Sequence, residues 1–98
     1  MSNYFVYITT NPAKTTLYVG MTNDLPTRMK QHRENKGIAK SFAGRYYCYK
    51  LIYFERFSNA IMAIEREKEI KDLSRERKEI LINSLNPNWH FYDPYFLT

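Results

Sequence analysis

The sequence predicts an α+β fold, a three-stranded, mainly antiparallel sheet flanked by helices, in the order β-β-α-β-α-α. Three observations carry this. Stretches rich in aromatic and β-branched residues occur at 4–10, 16–21 and 47–57. The first two are joined by a short connection opening on Asn11-Pro12, which suits an antiparallel hairpin. Capped stretches of helical pattern follow at 25–35, from Ser58-Asn59 to about Leu73, and from Ser74 to about Leu85, where Asn86-Pro87 stops the last. With 98 residues, no internal repeat and no low-complexity segment, one domain spanning residues 1–98 is expected.

Alternation along the first strand puts Val6 and Ile8 on one face and Phe5, Tyr7 and Thr9 on the other. In the second, Leu17, Val19 and Met21 oppose Tyr18 and Gly20. If the aliphatic sets share a core face, Tyr7 and Tyr18 meet on the reverse face, beside a glycine that permits close backbone approach. Thr22-Asn23-Asp24 offers a cap and Pro26 fits a first turn, so a helix follows from about Leu25 to Asn35, ended by Gly37. The i, i+4 spacing makes Arg28 and His32 neighbours and gives Leu25 and Met29 a separate packing stripe. Residues 36–45 combine two glycines with three charges and read as a mobile basic loop. The third strand, 47–57, is apolar from Leu51 to Phe54.

Winding the second long helix at roughly 100° per residue gathers Ala60, Ala63, Ile64, Ile70 and the stem of Lys71 into one stripe. Glu67 falls near its centre, while Glu65, Glu69 and Asp72 take the opposite face. A carboxylate in an apolar stripe must be paired, hydrogen-bonded or bound to a metal. The residues alone favour an ion pair with a basic neighbour and leave the metal open. Taken singly, Tyr7 and Tyr18 read as ordinary strand aromatics, and Arg28 and His32 as a solvated helix face.

The net charge of +5 is unevenly placed. Residues 1–50 hold eight Lys/Arg against two acids, and residues 51–98 seven against eight. Arg28, Lys30, Arg33, Lys36, Lys40, Arg45 and Lys50 face a single acid, Glu34, over one short stretch. Such a field raises the local concentration of phosphate and suits a nucleic-acid partner. Phe42, Tyr46, Tyr47 and Tyr49 lie among these cations, ready to stack on unpaired bases or to pack in the core of a chain with nine Tyr, six Phe and one Trp. The lone Cys48 allows no internal disulfide, no Cys/His cluster has metal-site spacing, and no apolar run approaches a membrane span. A cytoplasmic protein without a membrane partner is expected. Trp89, His90 and the stretch 93–96 are candidates either to close the core or to form a dimer contact.

Taken together, Phe5-Val6-Tyr7, Tyr18-Val19-Gly20 eleven positions after the first tyrosine, Thr22 through Asp24-Leu25 to Arg28 and His32, and Ala63 with Glu67 resemble the GIY-YIG nuclease family. Asn86, Pro87 and Trp89 are similar to the ending of its small single-domain bacterial members, which are like the N-terminal domain of the repair excinuclease. The resemblance covers about residues 4–92. It implies a GIY-YIG endonuclease-like fold and hydrolysis of nucleic-acid phosphodiester bonds by a divalent-metal-dependent endonuclease, of DNA in repair or processing. Tyr18 takes the place of the general base on water and Tyr7 supports it. A free phenol has a pKa near 10, so that role requires nearby positive charge. Arg28 matches the arginine on the scissile phosphate and Glu67 the carboxylate that holds a single Mg²⁺ or Mn²⁺. His32 matches a position held by His or Tyr near the phosphate or the water, and Asn86 a late polar position. Arg28, Lys30, Arg33, Lys36, Lys40 and Arg45 form the implied phosphate-binding set. Met21 stands where the repair branch has lysine, which bears on turnover and leaves a weak or inactive nucleic-acid-binding module of the same fold as the alternative. Larger members carry separate DNA-binding modules, so specificity here is expected from the domain itself, a homodimer or a partner protein.

Overall fold

β1 (Tyr4–Thr10) is the central strand of a three-stranded sheet of order β2-β1-β3, antiparallel to both neighbours, in a computed structural model that describes residues 3–93. It forms a hairpin with β2 (Leu17–Thr22), pairing Val6 with Met21, Tyr7 with Gly20 and Ile8 with Val19. Asn11 organises the connection. Its Oδ1 accepts from the backbone N–H groups of Thr15 and Thr16 at 2.8 and 2.9 Å, and Lys14 adopts a left-handed φ of 61°.

On its other edge β1 pairs with β3 (Lys50–Phe57), with a bulge that leaves Ile52 as the extra residue. The bulge resets the alternation. Ile52 and Tyr53 both join the cluster of Val6, Ile8 and Val19, while Leu51 joins Tyr7 on the opposite face. The first cluster is closed by Ala63 and Ile70 of α3 (Ala60–Asp72) and Ile82 of α4 (Arg75–Leu85). The second is closed by Leu25 and Met29 of α1 (Leu25–Glu34). The sheet is therefore covered on both faces, and the aliphatic and tyrosine faces fall where alternation places them.

Short polar side chains start each of these helices. Asp24 accepts from Thr27 N, Asn59 from Ile61 N and Met62 N, and Ser74 from Arg77 N, each cap being worth about 1 kcal/mol. The expected order stands with one addition, a single helical turn, α2 (Phe42–Arg45), between α1 and β3. Residues 36–45 are thus not a featureless loop. Ser41 Oγ accepts from Gly44 N, Gly37 N donates to Gly44 O, and Cys48 N donates to Ala43 O. A Cβ on Gly44 would run into the carbonyl oxygens of Ile38 and Asn35, so glycine is what lets this turn seat. Four residues are too few for helical periodicity to register in a sequence.

Two further expectations are corrected. The third strand starts at Lys50 rather than at 47, because Tyr47 has a left-handed φ of 59° that no strand accepts. The apolar stripe of α3 is narrower than expected: Ile64 is 40% exposed and the Lys71 side chain reaches solvent. Arg66 takes the partly buried place instead, donating Nε and Nη2 to the two oxygens of Glu55 at 2.9 Å each, with the Tyr53 hydroxyl also on Glu55. Asn86 follows α4 as a clamp, donating to Ile52 O and His90 O and accepting from His90 N. Trp89 packs against the first cluster and Tyr92 bridges to Leu51, whereas residues 94–96 lie outside those described. Among the described residues no helix is long and apolar enough to cross a membrane.

Candidate active site

Tyr7 is fully buried beneath α1, and its hydroxyl is the hub of the site. Arg28 Nε donates to it at 3.3 Å, and His32 Nε2 lies 2.8 Å away. Burial, with Arg28 beside it, lowers the His32 pKa to about 4, so the imidazole is neutral at pH 7. Burial pushes the Tyr7 phenol up to about 12, so it keeps its proton. The polar groups then balance in one way: Arg28 donates to Tyr7, Tyr7 donates to Nε2, and the imidazole proton sits on Nδ1. The i, i+4 spacing of Arg28 and His32 delivers both side chains to one phenol, and the solvated face that the helix pattern suggested becomes a buried contact at His32, only 8% exposed.

Gly20 stands opposite Tyr7 in the hairpin register. A Cβ there would lie 2.5 Å from the Tyr7 hydroxyl oxygen and 2.6 Å from Cζ, so the phenol tip occupies the space a side chain would fill. Tyr18 completes the group from β2. Its ring centroid is 6.3 Å from that of Tyr7 and 5.4 Å from that of His32. The Arg28 pKa is raised first by its hydrogen bond with Tyr7 and further by both tyrosines, which keeps the guanidinium charged. Arg28 also donates Nη1 to Gln31 Oε1 at 3.1 Å. The guanidinium borders an open concavity lined by Met21, Thr22, Asp24, Thr27 and Gln31, so a ligand can reach it from solvent.

Tyr7, Tyr18, Arg28 and His32 are therefore brought into direct contact. Glu67 is not part of that cluster. It projects from α3, which lies over β1 and the edge strand β2, and its negative charge contributes to the raised Tyr7 pKa. Its side chain is 22% exposed and pairs with Lys71 at 3.4 Å, the local ion pair that its position on the helix suggests. With the lysine half exposed, that pair is weak and open to displacement. No group of three or more His, Cys, Asp or Glu able to hold a metal occurs among the described residues. A single accessible carboxylate fits a hard ion that keeps most of its waters, as Mg²⁺ does, and does not fit a structural zinc site.

The basic set is dispersed around this centre. Lys30 pairs with Glu34 at 3.9 Å on the exposed side of α1. Lys36 lies over the Tyr49 ring, Arg33 lines a groove with Tyr49 and Lys50, and Lys40 and Arg45 line a concavity with Phe42 and Tyr46. Asn86 is buried with its amide group engaged by backbone. Sequence patterns missed Gln31, which the i, i+3 spacing to Arg28 could have flagged. They also missed the Tyr53–Glu55–Arg66 network, whose partners are joined only by the sheet and α3.

A hairpin carrying paired tyrosines, packed under a helix that supplies Arg and His, defines a domain of the GIY-YIG type, and this chain belongs to that family: the GIY-YIG catalytic domain matches residues 3–80. Its relatives include UPF0213 proteins. One from Natronomonas pharaonis is 38% identical over 81 residues, covering 83% of this chain and 92% of that protein. Another, from Clostridium perfringens, is 46% identical over 68 residues, covering 69% of this chain and 71% of that one. The solution NMR structure of the UPF0213 protein BH0048 from Bacillus halodurans superposes with a TM-score of 0.56 at 30% identity, over 96% of this chain and 94% of that one. The family is one of nucleases, generally dependent on a divalent metal, which indicates a nucleic-acid substrate.

Proposed function

We propose that this protein is an endonuclease that hydrolyses phosphodiester bonds in DNA, in repair or processing, with Mg²⁺ or Mn²⁺ bound as a single ion at Glu67. The observation that carries this is the convergence of Tyr7, Tyr18, Arg28 and His32, with the guanidinium bordering an open concavity. Arg28 binds a non-bridging oxygen of the scissile phosphate and offsets the charge that develops there. Tyr18, partly exposed beside that cation, releases its proton to solvent and, as the phenolate, takes one from the attacking water. The water oxygen bonds to phosphorus as the phosphorus–oxygen bond to the leaving sugar breaks, the leaving oxygen taking a proton from solvent. Tyr7 keeps its proton and acts as a positioning residue, holding the guanidinium and the imidazole in one geometry. His32, neutral, accepts from Tyr7 and fixes its direction. The ion, when bound, supplies positive charge at the phosphate and lowers the pKa of coordinated water.

Lys30, Arg33, Lys36, Lys40 and Arg45 then serve as backbone contacts, target choice resting on this domain, on a second copy of the chain or on a partner protein. A second reading, a weak or inactive nucleic-acid-binding module, is favoured by Met21, since β2 carries no cation beside Tyr18. Incubating supercoiled and branched DNA with the protein, with Mg²⁺, Mn²⁺ or EDTA, separates the two. Metal-dependent nicking abolished by EDTA is expected, whereas retained binding with no cleavage in either metal would establish the second reading.

A further inference from the structure

α2 is built the wrong way round for packing. Its small residues, Ala43 and Gly44, are buried, while Phe42 is 51% and Tyr46 44% exposed. A short chain normally uses its large rings inside. These rings also adjoin the site: the Phe42 ring lies within 24° of parallel to Tyr18 at 6.4 Å between centroids, and Tyr46 meets Phe42 at 4.7 Å with its plane tilted by 48°. A chain of three ring contacts thus runs from Tyr18 out to solvent. Lys40 and Arg45 border the same concavity as Phe42 and Tyr46. The turn that carries the rings is fixed by the Ser41 cap, by the close seat of Gly44, and by backbone bonds from Gly37 and Cys48.

We infer that Phe42 and Tyr46, which continue the ring contacts of Tyr18, form a stacking platform for unpaired bases beside the phosphate bound by Arg28, with Lys40 and Arg45 on flanking phosphates. The preferred substrate is then a single-stranded polynucleotide segment. This rests on the function proposed above and names its substrate class. Every base offers a π-face to such a platform, but only when it is unstacked from its neighbours, which a continuous duplex does not allow. Charge selects the occupant: Lys40 and Arg45 attract phosphates, whereas a second copy of the same face would bring like charges together.

The test is fluorescence anisotropy with labelled oligonucleotides in EDTA, using single-stranded DNA, single-stranded RNA of the same sequence, an abasic strand and a duplex. Wild type should bind both base-bearing single strands more tightly than the duplex or the abasic strand. Phe42→Ala and Tyr46→Ala should each weaken single-strand binding by about 5- to 100-fold, with duplex binding changed by less than about twofold and the salt slope unaltered. Phe42→Tyr keeps the ring and should retain binding. Should Phe42→Ala fail to fold on circular dichroism, Tyr46→Ala and Phe42→Tyr carry the comparison. Equal losses on single strand and duplex, no loss on either, or a wild-type dimer that Phe42→Ala converts to monomer would overturn the inference. EDTA keeps this separate from catalysis. A protein that stacks bases but never cleaves loses the nuclease reading and keeps the platform; one that cleaves every substrate alike, indifferent to Phe42→Ala, does the reverse.

Discussion

Acid should loosen this protein through His32. The folded imidazole titrates at about 4, below its ordinary 6.5, because it is buried and faces Arg28. Between those values the unfolded chain binds more protons than the folded one, so stability falls as pH drops and the loss is complete below the folded pKa. Working from the two values, about 2 kcal/mol is lost between pH 7 and pH 5, and about 3 kcal/mol by pH 4. Urea unfolding followed by circular dichroism at pH 7 and pH 5 measures this directly. His32→Gln supplies the control, since an amide oxygen still accepts from Tyr7 and takes no proton. Other titrating groups, Glu55 among them, act on both proteins and cancel in the difference. An NMR titration with His32 moving near pH 4 would agree. His32 titrating near 6.5, or identical pH dependence in wild type and His32→Gln, would refute the buried neutral imidazole.

Gly20→Ala should destabilise the protein by about 1–3 kcal/mol, because the new Cβ meets the Tyr7 hydroxyl. It should also move the His32 titration toward 6.5, and an unchanged melting temperature with an unchanged titration would contradict the proposed packing. Arg66→Ala should cost about 2–3 kcal/mol in urea unfolding at neutral pH by stranding the partly buried Glu55 carboxylate. Burial alone would raise the Glu55 pKa, but hydrogen bonds from Arg66 and Tyr53 hold it below the usual value, so this contribution is present at neutral pH and is lost as pH falls through the folded pKa. Cleavage by Arg66→Ala should equal that of wild type, and reduced cleavage by a folded variant would tie the network to the site.

The hairpin and its tyrosine face were legible because strand alternation is a strict period of two: once Val6, Ile8 and Val19 are inside, Tyr7, Tyr18 and Gly20 must share the other side. α1 was legible from its cap and from i, i+4 spacing, which also brought Arg28 and His32 together. What the sequence did not reveal depends on three-dimensional closure. The burial of His32 arises from contact with Tyr18 of β2 and with the Tyr7 ring, and the bulge at Ile52 depends on how β3 pairs with β1. α2 was hidden because its small residues face in while Phe42 and the capping Tyr46 face out, the reverse of the pattern that marks an amphipathic helix. An ion pair of Glu67 with a basic neighbour was legible, and that neighbour is Lys71, but the helix wheel put Ile64 in a stripe that the sheet leaves open to solvent.

In the proposed reaction Tyr18 and Glu67 act on a phosphodiester bound at Arg28. Nicking of supercoiled plasmid in Mg²⁺ by wild type, Tyr18→Phe and Glu67→Ala tests it most directly. Both variants should lose activity by about 100-fold or more while Tyr18→Phe still binds DNA in EDTA. Equal nicking by all three proteins would rule out roles for Tyr18 and Glu67 in the cleavage.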